Sequence, residues 1–512
     1  MKKLFTKKKN FKSLYIVLGV ILVILVYTFG VNTGYASGIV YTAYNINNPL
    51  PSIAKPKAST TIYAGSTVIG KIYPPEMNAY YYEQNKNTYK GKSILYHLEN
   101  LYPYSTNPNI LNDALTLRKQ IIGVLKNTKA ITKSQYQKTQ NINAKPYFTI
   151  LHAPYFTEYV INKLYQNYSK YVLEGGLKVY TTVNLSLNSL AQSIVTTDTQ
   201  KYLIPVGASD AALVADNPQN GNILAMIGGS SYAQSQINMA DVPRQQGSAM
   251  KPLIYVKAFE MGYSPHTMID DSPVCFGNYC PTDYEGYTVG WVSIDRAINQ
   301  SINIPAIKMF NRIGYYNGLN TLLSEGIKLN KNVFYGLPLV LGAAGIPLVR
   351  MVGAYNALNN GGYYAQSTPF LKITYDGKTI LDTTNTPKKR ILNANAVAEM
   401  DYVLGNTALK QPMYNYATYY YSVQGRPYGS KDGTSNGPRD ITDYMFIPQI
   451  TVGVWAGNES DSLLSGNAVG AFQTGPIAHS LIMDYIAQNH LPVIDYPTPI
   501  YPTLNATTSR IP

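Results

Sequence analysis

From residue 210 to residue 490 the chain opens and closes on strand-forming segments with helices between them, so its sheet must gather strands far apart in sequence. DAALVADNPQNGNILAMIGG, residues 210–229, is two apolar runs around a Pro/Asn/Gly turn, the pattern of a β-hairpin. ITVGVWAGN, residues 450–458, reads as another strand, and GPIAHSLIMDYIAQ, residues 475–488, as a helix. The expected class is α/β. Upstream, TTIYAGSTVIGKIY predicts a short strand, and ILNDALTLRKQIIGVLKN and AITKSQYQKTQ predict two helices between residues 110 and 145. YFTEYVINKLYQNYSKYVLEGG predicts an amphipathic helix stopped by its Gly pair. LKVYTTVN alternates as a strand, and LSLNSLAQSIV resumes helical spacing.

The segment RQQGSAMKPLIYVKAFEMGYSP holds the strongest local chemical signal. Gly247 precedes Ser248, Pro252 fits only a first helical turn, and Gly262 is a stop, so a helix starts at the serine. Ser248 and Lys251 are three residues apart and share a helix face, which pairs a hydroxyl nucleophile with an adjacent base. A serine at a helix start also has free backbone N–H groups near it, suited to stabilising an oxyanion. Alone, S-x-x-K is a weak signal that a helix-capping serine and a surface lysine would also produce.

Charge and hydropathy bound the setting. Ser13 to Gly30 carries no charge and follows Lys2, Lys3, Lys7, Lys8, Lys9 and Lys12, which predicts an uncleaved signal anchor with its N-terminus in the cytoplasm. A cleaved signal peptide ending near YASG is the competing reading. The expected organisation is a basic tail at 1–13, a transmembrane anchor at 14–35 and a stalk at 36–104. A linker region at 105–205, a catalytic domain at 206–490 and a disordered tail at 491–512 complete it. The net charge of +14 suits an anionic cell envelope, and no basic stripe with interleaved aromatics points to nucleic acid. Charged residues are only 14% of the chain, so Tyr, Asn, Gln, Ser and Thr must supply much of the polar surface. The two cysteines, Cys275 and Cys280, lack the further ligands a zinc site needs, leaving buried thiols or a small loop disulfide. The five histidines have no matching carboxylate motif for a Ser-His-Asp triad. Trp291 and Trp455 are expected in the core, and Arg244 and Asp440 in the scaffold.

Two further segments give the serine its context. RAINQSINIPAIKMFNRIG contains Ser301-Ile302-Asn303, and GSKDGTSNGPRDITDYMFIPQITVGVWAGN contains Lys431-Asp432-Gly433-Thr434. With Ser248 and Lys251, and in this order, they resemble the S-x-x-K, S-x-N and K-T-G motifs of penicillin-binding proteins and serine β-lactamases. The resemblance reaches upstream to about residue 105, where the sequence is similar to the segment joining the two catalytic domains of class A penicillin-binding proteins. Residues 36–104 contain neither the E-D-x-x-F-Y-type nor the G-G-S-T-I-T-Q-Q-type run of the class A glycosyltransferase domain. No glycan polymerisation is therefore expected, and a separate glycosyltransferase would be a partner.

The resemblance implies a transpeptidase fold with a central antiparallel sheet flanked by helices, and no metal or cofactor. Ser248 would attack the carbonyl between the last two D-alanines of a peptidoglycan stem peptide, and Lys251 would accept its proton. Ser301 would relay that proton to the leaving amine. Asn303, Lys431, Asp432, Gly433 and Thr434 would bind substrate, with an oxyanion held by the N–H groups of Ser248 and Thr434. β-Lactams would acylate the same serine. The implied activity is D,D-transpeptidation, with D,D-carboxypeptidation, a β-lactam-hydrolysing or sensing role, and a non-catalytic envelope scaffold as alternatives. Hydrolysis of β-lactams would need a means of activating water, and no E-x-x-x-N segment is recognisable.

Asp432 departs from the pattern. The family has Thr or Ser there, whose hydroxyl helps bind the substrate's terminal carboxylate. Residues 432 and 434 of a strand face the same side, and two like charges about 4 Å apart repel by ~4 kcal/mol at an effective dielectric of 20. Lys431 or Arg439 would have to offset that repulsion, or Asp432 must be protonated, or the substrate end must differ.

Overall fold

The computed structural model of the chain describes residues 58–72, 148–284, 286–330, 332–414, 422–423, 425–503 and 508–512. The anchor expected at 14–35, the helices expected between 110 and 145, and most of the stalk lie outside them. Among the described residues no helix is long and apolar enough to cross a membrane. The chain divides into two compact units, one holding residues up to 152 with 157–180 and 372–381, the other holding 153–156, 181–371 and 382–512.

The larger unit is built on five antiparallel strands. They are β1 (Asp210–Asn217), β2 (Asn222–Ile227), β3 (Gly429–Thr434), β4 (Asp440–Ile447) and β5 (Ile450–Gly457), in the order β3-β4-β5-β1-β2. The register sets Gly453 opposite both Tyr444 and Val214, so two hairpins distant in sequence meet at β5 against β1. β4 and β5 are buried at every residue, and β1 at all but its last. Strands covered on both faces need no polar alternation, which is why ITVGVWA reads as a continuous apolar run.

Five helices matter for the site: α1 (Leu185–Asp198), α2 (Lys251–Glu260), α3 (Asn303–Ile313), α4 (Leu348–Asn359) and α5 (Gly475–Asn489). On one face of the sheet Leu187, Ala191 and Val195 of α1 and Ile477, Leu481 and Ile482 of α5 enclose Leu213, Ala225, Val452 and Val454. Each large aliphatic side chain buried there stabilises the fold by roughly 1.5–3 kcal/mol. α1 starts at Asn184, whose Oδ1 accepts the Leu187 N–H at 3.1 Å, an N-cap that satisfies one orphan donor. The boundary expected at residue 206 thus falls inside this unit, because the apolar face of α1 covers the sheet.

α4 covers the opposite face and carries a polar clasp. Asn359 Nδ2 donates to the carbonyls of Ile447 and Ile450 and to Thr451 Oγ1, tying the β4–β5 turn to the helix end. Tyr496 donates its hydroxyl proton to Asn359 Oδ1 at 2.7 Å. That contact belongs to the tail expected to be disordered, and the tail also forms a strand, Arg510–Ile511, parallel to Met268–Asp270. Pro- and Thr-rich sequence has little structure of its own, but here Ile511 is buried and Tyr496 half-buried against the domain. The disulfide left open by the sequence is present between Cys275 and Cys280. Trp455 is buried as expected, whereas Trp291 is 45% exposed on a short strand. A three-residue strand has too little sheet behind it to cover an indole.

In the smaller unit, strands Thr60–Ala64 and Thr67–Ile72 form a hairpin where one strand was expected. Gly65 at φ +57° supplies the left-handed turn residue that allows it. The helix Pro154–Glu174 ends at Gly175 and Gly176, both at positive φ, as the Gly pair predicts.

Asn359→Ala leaves two buried carbonyls without their donor and should destabilise the folded chain by about 1–3 kcal/mol. A urea melt of the full chain, monitored by tyrosine and tryptophan fluorescence, would register this as a lower midpoint.

Candidate active site

The nucleophile candidate sits in a tight turn. Residues Gly247–Met250 form one turn of 3₁₀ helix that runs directly into α2, with Pro252 in the first turn of the α-helix. The side chain of Gln246 fixes the entrance: its Nε2 donates to the carbonyls of Arg244 and Ile346, and its Oε1 accepts the Tyr444 hydroxyl. Tyr355 of α4 donates to the Ala249 carbonyl at 2.7 Å. Ser248 itself is half-buried, open on one side while its neighbours Gly247 and Ala249 are buried.

Two glycines bring this turn onto strand β3. A Cβ on Gly433 would lie 2.1 Å from the Gln246 carbonyl oxygen and 3.1 Å from the Ala249 nitrogen. A Cβ on Gly247 would lie 2.4 Å from the Thr434 oxygen, and Gly247 has φ +55°. Only glycine fits at either point. The turn bearing Ser248 therefore rests on the backbone of Thr434, the neighbour an oxyanion hole between residues 248 and 434 requires.

Lys251 is fully buried, and its ammonium has a complete set of acceptors. Nζ donates to the Ser301 carbonyl at 2.6 Å, to Asn303 Oδ1 at 2.9 Å and to the Ile302 carbonyl at 3.1 Å. Ser248 Oγ, the partner expected from their spacing, is not among the three. A buried ammonium turns to the nearest carbonyls, and the left-handed Ser301, at φ 58°, presents one. Such a conformation costs a non-glycine residue roughly 1–2 kcal/mol. The acceptors favour the charged amine, but burial first and the Lys431 cation second disfavour it. The balance lies well below the ordinary lysine value.

Asn303, the first residue of α3, is held by the segment that follows the Cys275–Cys280 disulfide. Asp283 Oδ1 accepts the N–H groups of Asn303 at 2.6 Å and Ile304 at 3.1 Å, capping α3, and the Thr282 carbonyl accepts Asn303 Nδ2. With its amide nitrogen fixed on Thr282, Asn303 points its oxygen at Lys251.

Lys431 is the second buried cation. Its Nζ donates to Ser301 Oγ at 3.1 Å, to the Asp432 carbonyl at 3.0 Å and to Asp432 Oδ1 at 2.7 Å. Tyr414 adds a hydrogen bond to the same carboxylate oxygen at 2.8 Å. Burial alone would raise the Asp432 pKa, but Lys431 and Tyr414 outweigh it and hold the carboxyl below its usual value. Of the two cations expected to offset Asp432, Lys431 does so; Arg439 instead donates from Nη1 to the Asp461 carbonyl. Lys410 lies behind the strand on the Leu404 carbonyl and Ser430 Oγ, and burial brings its pKa down to about 7. Thr434 Oγ1 accepts the Gly470 N–H at 3.4 Å. Arg244 and Asp440 are scaffold: Arg244 pairs with Asp461 at 2.7 Å, and Asp440 accepts the Trp455 indole N–H.

Every residue predicted for the site thus lies in one region of the larger unit, at the meeting of the Ser248 turn, the Ser301 turn and β3. Tyr414, Asp283 and Gln246 were missed. None belongs to a motif, and only the folded chain brings them to Asp432, Asn303 and the nucleophile turn.

A serine turn set on an antiparallel sheet, with two buried lysines and the S-x-N turn beside it, defines the transpeptidase class of serine acyltransferase folds. Residues 211–439 match the family described as penicillin binding protein transpeptidase domain. Penicillin-binding protein 2D of Bacillus subtilis is 28% identical over 334 residues, 61% of this chain and 46% of that protein. Penicillin-binding protein 1A of Clostridium acetobutylicum is 28% identical over 433 residues, 77% of this chain and 50% of that protein. The chain thus spans about half the length of these curated relatives. Among solved structures, penicillin-binding protein 1A from Haemophilus influenzae superposes with a TM-score of 0.63 at 17% identity, covering 87% of this chain and 94% of that one. PonA1 from Mycobacterium tuberculosis in complex with penicillin V gives 0.57 at 20% identity, covering 69% and 95%. Both likenesses are of fold.

Gly433→Ala places a methyl group against a backbone oxygen that cannot rotate away, so β3 must part from the Ser248 turn. Overpacking of this kind destabilises by about 1–3 kcal/mol, and a thermal melt of the full chain should show the loss.

Proposed function

We propose that the chain is a membrane-anchored D,D-transpeptidase that cross-links peptidoglycan stem peptides through an acyl-enzyme on Ser248. The observation that carries this reading is the convergence of Lys251, Ser301, Asn303 and Lys431 beside the Ser248 turn, all joined by hydrogen bonds. A neutral Lys251 has only two protons to donate, so it releases one of its three acceptors. The lone pair so exposed takes the Ser248 proton as Oγ attacks the donor carbonyl. Ser301 Oγ accepts a hydrogen bond from Lys431, and it passes its own hydroxyl proton to the leaving nitrogen. Ser301 then recovers a proton from Lys251. The donor C–N bond breaks, the amine leaves protonated, and an ester to Ser248 remains. An amine of a neighbouring stem peptide resolves that ester in transpeptidation, and water does so in carboxypeptidation.

β-Lactams are proposed as acylating ligands of the same serine. The anchor at 14–35 would leave the N-terminus in the cytoplasm and the catalytic domain outside the membrane. The Cys275–Cys280 disulfide supports an extracytoplasmic, oxidising setting. A separate glycosyltransferase is proposed to supply the glycan strands.

Incubation with an N-acyl-D-alanyl thioester or a labelled penicillin should add one acyl group by intact mass, and Ser248→Ala should add none. An adduct that survives in Ser248→Ala would refute the assignment. The acylation rate should rise with pH as Lys251 loses its proton and level off below the ordinary lysine range, about 10.4. Asp432 stabilises the charged form of Lys251, so Asp432→Asn should move that rising limb to lower pH. Stopped-flow acylation across the pH range measures the shift.

A further inference from the structure

We propose that Asp432 determines donor specificity, turning the site away from peptides with a free carboxylate beside the scissile bond. The favoured donors would be those whose leaving end is uncharged there, an amidated or chain-extended peptide. This inference rests on the acyl-transfer reading above.

The Lys431 ammonium has three protons, and all are engaged within the protein: one on Ser301 Oγ and two on the carbonyl and side chain of Asp432. The cation that would attract a substrate carboxylate is therefore neutralised by its neighbour in sequence, and none of its protons is left for a ligand. Asp432 is 6% exposed, so water screens its charge poorly. Tyr414 donates to the same carboxylate oxygen as Lys431 and helps keep it ionised.

The other cations around β3 are engaged elsewhere. Arg244 binds Asp461 and the carbonyls of Asn458 and Glu459. Arg439 donates from Nη1 to the Asp461 carbonyl, Lys410 binds the Leu404 carbonyl and Ser430, and Lys251 has its three acceptors. An incoming carboxylate would meet a fixed negative charge, with every ammonium proton of Lys431 and Lys251 already taken. A carboxamide brings no charge and offers N–H groups, which a carboxylate on the strand tolerates. Thr434, two residues along on the same side of β3, retains a hydroxyl for the amide oxygen.

The test compares two thioester donors, N-acyl-D-alanyl thioglycolate and the matching thioglycolamide, which differ only in the terminal carboxylate. Ser248 Oγ displaces the thiolate from either, and the released thiol is read colorimetrically. The wild-type chain should be acylated at least tenfold faster by the amide. Asp432→Thr should invert that ratio, and Asp432→Asn, which keeps the shape and removes the charge, should abolish it. A wild-type preference for the carboxylate donor, or a ratio unchanged within twofold in both variants, would overturn the proposal while leaving the acyl-transfer reading intact. Binding of the same pair to Ser248→Ala, measured by isothermal titration calorimetry, separates recognition from chemistry. If neither donor acylates any variant, the acyl-transfer reading fails. Calorimetry then still decides on Asp432: amide preferred supports its role, and no preference overturns it.

Discussion

A lysine amine buried without water must find acceptors or lose its proton, and the candidate site is organised around that demand. Lys251 draws in the carbonyls of Ser301 and Ile302 and the side chain of Asn303, which fastens the S-x-N turn to the nucleophile helix. Lys431 does the same between Ser301 and β3. Ser301 thereby contributes its carbonyl to one lysine and its hydroxyl to the other, and its left-handed backbone lets both be reached. Removing either amine would loosen contacts among these three segments.

The second organising constraint is backbone proximity. Gly247 and Gly433 allow two main chains to approach where any side chain would hold them apart. Gln246, Tyr444 and Tyr355 lock the turn from behind with side-chain hydrogen bonds. The sheet and α4 make this rigid: Tyr444 comes from β4, and Tyr355 stacks on it with ring centroids 4.5 Å apart. A serine so placed is held in fixed geometry, the condition that electrostatic stabilisation of an oxyanion sets. Asp432 sits within the same frame and changes its charge rather than its shape. Lys431, its neighbour in the chain, is engaged by that charge and by Ser301.

Much of the fold was legible because its elements are signalled locally. The hairpin at β1 and β2, strand β5 and helix α5 follow from apolar runs, turn residues and length. What was misjudged depended on distant partners. α1 was assigned to a linker because its apolar face says only that it is covered, not by what. The C-terminal tail was expected to be disordered because its composition gives it no structure until Tyr496 and Ile511 find the domain. Trp291 was expected in the core because an indole is usually buried, and its short strand leaves it exposed.

The sequence by itself determined the nucleophile candidate, its lysine, the S-x-N turn and the lysine strand, because residue types at short fixed spacings encode those groups. It also exposed the charge of Asp432 as the departure from pattern. The fate of that charge was decided only by the tertiary structure. Whether Asp432 would be protonated, paired or left facing a ligand depends on which groups lie within about 3 Å, a distance at which electrostatics and hydrogen bonding dominate. Lys431 is its neighbour in the chain, but Tyr414 reaches it only through the packing of a helix that carries no motif. Spacing in a sequence specifies which groups a site owns; the folded chain decides which of them are still free to meet a substrate.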